Sequence, residues 1–253
     1  MIVPSSNLTM ETELPRMFRA REEAMPEDRF LFHSSRTRMR HVTPEELRGM
    51  NAQTARASLE LADARPDVVA SACLVAIMAQ GKGHHRTAER EIAEGLRSGG
   101  CEAPVVSSAG ALLSAIEALG ARRVALIAPY MKPLTATVVD YLQDAGTEVV
   151  DALSLEVADN LAVAALDPDD LRRHWRRLDL SGADALVLSA CVQMPSLPSI
   201  QHVEDACGLP VLSAATATAH RVLSELGLET VVPGAGSLLS GRVPAAVRQA
   251  ATS

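Results

Sequence analysis

Aromatic side chains are scarce in this chain: one Trp, two Tyr and three Phe make up 2% of 253 residues. A nucleic-acid binder that stacks bases needs such rings, and one that tracks phosphates needs a basic excess. The net charge is −7, and no basic patch is interleaved with aromatics, which argues against a nucleic-acid partner. Long apolar runs are missing too. The least charged stretch, residues 185–201, is broken by Pro195 and Pro198 and does not suit a membrane-spanning helix. The opening MIVPSSNLTMETEL lacks the basic and apolar regions of a secretory signal. Four cysteines without secretory context read as reduced thiols and not as a disulfide framework. The expectation is a cytoplasmic protein with no membrane attachment.

The apolar content, 47%, comes instead from Ala, Val and Leu. Short apolar runs at 67–77, 122–129, 147–153, 183–191 and 209–214 read as buried strands. Between them lie amphipathic stretches, such as PEELRGMNAQTARASLELADA over 44–64. Alternation of nearly all-apolar strands with helices predicts an α/β fold whose parallel sheets are covered on both faces. Thr43-Pro44-Glu45-Glu46 has the marks of a helix start: a cap, a proline at the first position and acidic residues in the first turn. Asp167-Pro168-Asp169-Asp170 repeats the device before the basic helix LRRHWRRL.

Two cysteines share one setting. SACLVAIM places Cys73 after an apolar run, and SACVQMPS places Cys191 after another. CEAPVVSSA at 101–109 matches CGLPVLSAA at 207–215, and each is followed by a helix ending in Leu-Gly, at 119–120 and 226–227. A strand-end proline opens each half, in VPSSN (Pro4) and APYMK (Pro129). Three matches in one order indicate a duplicated α/β unit. The second unit is expected over 107–213, and the first over 1–106 with 214–253 returning to pack on it. Ligands bind outside the carboxyl ends of strands in open α/β sheets, so two facing units would bring both SAC cysteines into one cleft.

The residues after each cysteine, Leu74, Val75, Val192 and Gln193 among them, are expected to offer free backbone N–H groups. Such groups attract an anion and draw a thiol pKa toward neutrality. This matters because no arginine clamp is evident near either motif. The plainer alternative, small buried hydrophobes at strand ends, is weakened by the duplication. Cys101 and Cys207 precede strands and read as structural. His84-His85 has no metal-ligand spacing, Gly234-Ala-Gly236 lacks an acidic ribose partner and reads as a loop, and HSSRTRMRH (33–41) reads as a basic solvated loop. No metal site is expected.

Together VPSSNLTMETELP (3–15), FHSSRTRMR (32–40), SACLVAIMAQGKGHHR (71–86), APYMKPLT (128–135), DNLAVAALDP (159–168), SACVQMPS (189–196) and VPGAGSLLSG (232–241) resemble the aspartate/glutamate racemase superfamily. Within it they resemble the maleate cis-trans isomerases, over almost the whole chain. General racemases usually follow their cysteines with Asn-Thr or Thr-His; Leu-Val and Val-Gln stand here. The resemblance implies two flavodoxin-like α/β domains related by pseudo-twofold symmetry, with the active site between them. It implies cofactor-free conversion of maleate to fumarate through a covalent succinyl-cysteine-type intermediate, with Cys73 as nucleophile and Cys191 as proton donor. Asn7, Tyr130 and Asn160 would bind the substrate carboxylates, aided by the backbones of Leu74, Val75, Val192 and Gln193. It also implies a homodimer with a role in nicotinate degradation. A two-cysteine amino-acid or hydantoin racemase and a non-catalytic dicarboxylate-binding protein are the alternatives. The plain readings stay open as well: Asn7 as a helix cap, Tyr130 as packing at a strand end, Asn160 as a turn residue.

Overall fold

The computed structural model describes residues 1–41 and 43–242. The first half contributes β1 (Ile2–Pro4), β2 (Ser35–Thr37), β3 (Val69–Ser71) and β4 (Val105–Ser107). The second contributes β5 (Arg123–Ala128), β6 (Glu148–Ser154), β7 (Ala185–Ser189) and β8 (Val211–Ser213). They form two four-stranded sheets of order β2-β1-β3-β4 and β6-β5-β7-β8, with every pairing parallel. Counted from the start of each half, the order is the same, and it is the 2-1-3-4 order of flavodoxin-like sheets. Strands β5 and β7 are buried almost end to end, which is why they read as unbroken apolar runs.

The helices are α1 (Met10–Ala24), α2 (Pro44–Asn51), α3 (Thr54–Ala62), α4 (Leu74–Met78), α5 (His84–Ser98), α6 (Ser108–Ala118), α7 (Lys132–Asp144), α8 (Asn160–Ala164), α9 (Pro168–His174), α10 (Leu197–Cys207) and α11 (Ala214–Glu225). The cap signals held: Thr43 Oγ accepts the Glu46 N–H, and the Asp167 carboxylate accepts the Asp169 N–H. Helices α6 and α11 follow the last strands of the two sheets and pack on each other, each started by a serine. Ser107 Oγ accepts the Gly110 N–H, and Ser213 Oγ accepts the Thr216 N–H. α11 also packs on α1, where buried Arg21 holds Asp28 at 2.6 Å and donates to the carbonyls of Glu229 and Val231.

Several expectations need correction. The 67–77 run is strand only over Val69–Ser71, and from Leu74 it is helix. The 44–64 stretch is two helices, because the chain turns at Ala52 and Gln53. The basic run 33–41 is not all loop: Ser35–Thr37 pairs with β1 as an edge strand. LRRHWRRL ends in a 3₁₀ turn over Trp175–Arg177. The part of the expected first unit that falls in 243–253 lies outside the described residues.

Candidate active site

Cys73 and Cys191 each stand two residues beyond the carboxyl end of a central strand, β3 and β7. Both are buried, at 5% and 4% exposure, and they belong to one hydrophobic core that runs through both sheets. Cys191 is close enough for its charge to weigh on Cys73. Tyr130, just beyond β5, is buried beside both, and its hydroxyl donates to the Cys191 sulfur. Cys191 Sγ also accepts the Gln193 N–H at 3.3 Å. Cys73 caps the five-residue helix α4, and the Ala76 N–H faces its sulfur without closing a full cap.

The thiols do not have the lowered pKa expected from the sequence. Burial pushes Cys73 up to about 12; the Ala76 N–H opposes the shift, and the neighbouring Cys191 adds to it. Cys191 is raised by burial as well, against three donors: the Tyr130 hydroxyl and the N–H groups of Gln193 and Met194. Desolvation of a thiolate outweighs a few hydrogen bonds. Tyr130 is raised well above the ordinary phenol value, again chiefly by burial.

The remaining candidates converge on the seam between the halves. Asn7 Oδ1 accepts the N–H groups of Thr9 and Met10 at the start of α1, while its Nδ2 donates to the Val192 carbonyl at 3.2 Å. Asn7 is therefore a helix cap, as its plain reading had it, and it also ties the start of α1 to the Val192 backbone of the other half. Asn160 Nδ2 donates to Ser6 Oγ at 2.7 Å. Gln193 does more than lend its backbone. Its Oε1 accepts the Leu8 N–H, its Nε2 donates to the carbonyls of Ser6 and Asn160, and its carbonyl accepts Thr9 Oγ at 2.6 Å. Leu74 and Val75 open α4, so their N–H groups have no acceptor within that helix. All nine sequence-derived candidates thus lie along this seam or beside one of its two cysteines.

Three further residues shape the site. Ser189 Oγ donates to the Cys191 carbonyl at 2.9 Å; Ser6 and Thr9 tie the PSSN segment to the other half. Ser6 sits inside the repeated motif, so its neighbourhood was readable, but its partner was not. A cavity of about 470 Å³ lies beside the site, walled by Leu47, Arg48, Gln80, Tyr130, Val157 and Asn160 among others. Neither cysteine reaches its wall, and Arg48 is the charged residue that does.

Cys101 and Cys207 lie elsewhere: Cys101 is buried against the Pro66 carbonyl, and Cys207 ends α10. His85 is buried at the start of α5 against Tyr141, and Gly234 and Gly236 both have positive φ in a loop. Among the described residues, no group of three His, Cys, Asp or Glu is placed to hold a metal ion, and no helix is long and apolar enough to cross a membrane.

Residues 23–239 match the arylmalonate decarboxylase family model. The chain is 58% identical over 242 residues to the maleate isomerase of Geobacillus stearothermophilus, covering 96% of each chain. The crystal structure of a cysteine-to-alanine variant of the Pseudomonas putida maleate isomerase with maleate superposes with a TM-score of 0.94 at 52% identity, covering 96% of both chains. A cysteine-to-serine variant of the Nocardia farcinica maleate cis-trans isomerase, which carries a covalently bound succinylcysteine intermediate, superposes at 0.91 with 50% identity. That match covers 94% of this chain and 96% of the other.

Proposed function

This chain belongs to the maleate isomerase family, and on that premise we propose that it isomerises maleate to fumarate with Cys73 as nucleophile and Cys191 as proton donor. The observation that carries the reading is the pair of thiols, one from each half, buried in one core beside Tyr130. Rotation about a C=C bond requires its π bond to be removed. The Cys73 thiolate adds to one alkene carbon, forming a C–S bond, and the π electrons move onto the adjacent carbon and its carboxylate as an enediolate. The Cys191 thiol delivers its proton to that carbon, which leaves a succinyl-cysteine adduct and a Cys191 thiolate. After rotation about the new single bond, Cys191 takes a proton back, the C–S bond breaks, and the trans diacid leaves. The sum is an isomerisation, with both thiols returned to their starting states.

Burial makes a resting Cys73 thiolate scarce, yet a high-pKa thiolate without a hydration shell is the stronger nucleophile once formed. The candidate binding groups are neutral donors: Asn7, Tyr130 and Asn160 side chains, with the backbones of Leu74, Val75, Val192 and Gln193. Neutral donors in a water-excluded site hold carboxylates without locking them as an arginine fork would. The same reading takes residues 107–213 as one unit and 1–106 with 214–253 as the other. It also takes a second copy of the chain as partner in a cytoplasmic setting; half-buried Val149, Val150 and Leu153 on edge strand β6 support that partner.

Proton NMR of maleate with purified protein and no added cofactor tests the reaction: the maleate singlet should be replaced by that of fumarate. Cys73→Ala should abolish turnover. Cys191→Ser keeps a donor of similar shape but far higher pKa, so acid-quenched mass spectrometry should find one substrate mass on the Cys73 peptide. No conversion by the wild type would overturn the function, and an adduct on Cys191 in Cys73→Ser would exchange the two roles.

A further inference from the structure

Helix α10 begins six residues after Cys191, and the N–H groups of Ser196 and Leu197 at its start find no acceptor in their own chain segment. Ser196 occupies the cap position with its side chain unused for that helix. The acceptor comes from the other half. Glu13, on α1 and 6% exposed, accepts the N–H groups of Ser196 and Leu197 at 2.6 and 2.7 Å through Oε1. Its Oε2 lies 3.4 Å from Ser196 Oγ. The Cys191 loop is thus held at two ends: at the strand side by Ser189, whose hydroxyl reaches the carbonyls of Cys191 and Met194, and at the helix side by Glu13.

The duplicated fold repeats the arrangement in the opposite direction. Helix α5 follows the Cys73 segment and starts after Gly83, which has no side chain to cap with. Its His85 N–H is accepted by the Tyr141 hydroxyl of α7, at 3.1 Å, and Tyr141 also bonds the His85 ring at 2.6 Å. Each half therefore supplies an acceptor to the start of a helix downstream of the other half's cysteine: α10 after Cys191, and α5, beyond the short α4, after Cys73. The two caps differ in strength. A carboxylate taking two N–H bonds at a helix start is charge-assisted and aligned with the helix dipole; a phenol hydroxyl is neither.

We infer that Glu13 is a positioning residue for Cys191: by capping α10 across the seam it sets where the proton-donating thiol stands relative to Cys73. The inference rests on the reaction proposed above only for its kinetic part. A thiol displaced by about 1 Å costs on the order of a hundredfold in a step that depends on alignment. Proton delivery should suffer and substrate binding should not.

The test uses Glu13→Ala and Glu13→Gln in the full chain. Glu13→Ala should lower kcat by about a hundredfold, with KM within roughly threefold of wild type. It should also accumulate the Cys73 adduct that wild type does not show. Glu13→Gln keeps one acceptor oxygen and should recover most of the loss; if Glu13→Ala does not fold, Glu13→Asp, whose carboxylate stops one methylene short of the two N–H groups, carries the test with the same directions. A readout independent of turnover is alkylation of substrate-free protein, mapped by mass spectrometry. Cys191 should label about tenfold faster in the variants that loosen its loop, with Cys73 changed less than about twofold. Equal loosening of both cysteines, or a wild-type kcat with unchanged Cys191 labelling in Glu13→Ala or Glu13→Asp, would overturn the inference. If wild type does not isomerise maleate, the proposed function fails, while the labelling split still decides the role of Glu13.

Discussion

A buried thiolate gives up hydration that one or two backbone N–H groups do not replace. At Cys73 that deficit raises the pKa to about 12, and Cys191 shifts the same way. The consequence for free protein is a labelling order set by access. Half-buried Cys207 should be alkylated first near neutral pH, while Cys73 and Cys191 react slowly and faster with each unit of rising pH, without a plateau below pH 9. A plateau for Cys73 near pH 7 would contradict the burial argument. The linkage has a definite sign: the unfolded chain releases these protons first, so stability should fall as pH climbs above the ordinary thiol value of 9.0. Cys73 and Cys191 were legible in the sequence because duplication repeated their setting. Their pKa direction was not, since it depends on closure of the cleft around them. Glu13 was illegible for a related reason: nothing local joins an acid on α1 to Ser196 and Leu197 in the other half.

At the scale of elements, the readable parts were those with internal periodicity or caps, and the unreadable parts were those defined by a partner. Strand β2 has three residues in a basic run, Ser35-Arg36-Thr37, and exists only through its pairing with β1. The break between α2 and α3 was hidden because Ala52 and Gln53 keep the helical backbone of their neighbours. Glycines show how packing decides between equal propensities. Gly95 of α5 faces α3, and a Cβ there would stand 2.7 Å from the Ser58 Cβ. Gly49 of α2 has nothing within 4 Å. Either glycine costs a helix interior roughly 1 kcal/mol relative to alanine. Gly49→Ala should therefore raise stability by up to that amount. Gly95→Leu gains a similar propensity term but overpacks by about 1–3 kcal/mol, so it should lower the melting temperature, by roughly 2–4 °C per net kcal/mol. Calorimetry on the pair checks the signs; a Gly95→Leu variant as stable as Gly49→Ala would remove the close approach of α3 and α5 as an explanation.

The whole molecule is two like sheets that share their main core, beside a smaller core of Ile2, Leu61, Ile92 and Leu96 closed within the first half. Val3 and Ala70 of the first sheet share a continuous core with Leu126 and Val187 of the second, and α6 packs on α11 across the duplication. Polar ties cross the same seam: Asn7 to Val192, Thr9 to Gln193, Glu13 to Ser196, and Asn160 to Ser6. Sequence repetition announced two units, and that much was readable from the matched cysteine and proline motifs. It did not announce that the main core is shared across the halves, with the burial of α6 and α11 mutual. If the seam is an interior and not a contact between finished domains, the halves should unfold together. The lone tryptophan offers a probe of one half: Trp175 follows α9 and packs against the core, with Arg176 stacked 4.7 Å over its ring. Its fluorescence reports the second half, and far-UV circular dichroism reports helices of both. Thermal or denaturant unfolding followed by the two signals should give one midpoint. Midpoints separated by more than about 3 °C would mean that one sheet survives the loss of the other, and the shared core would not be what holds the two thiols together.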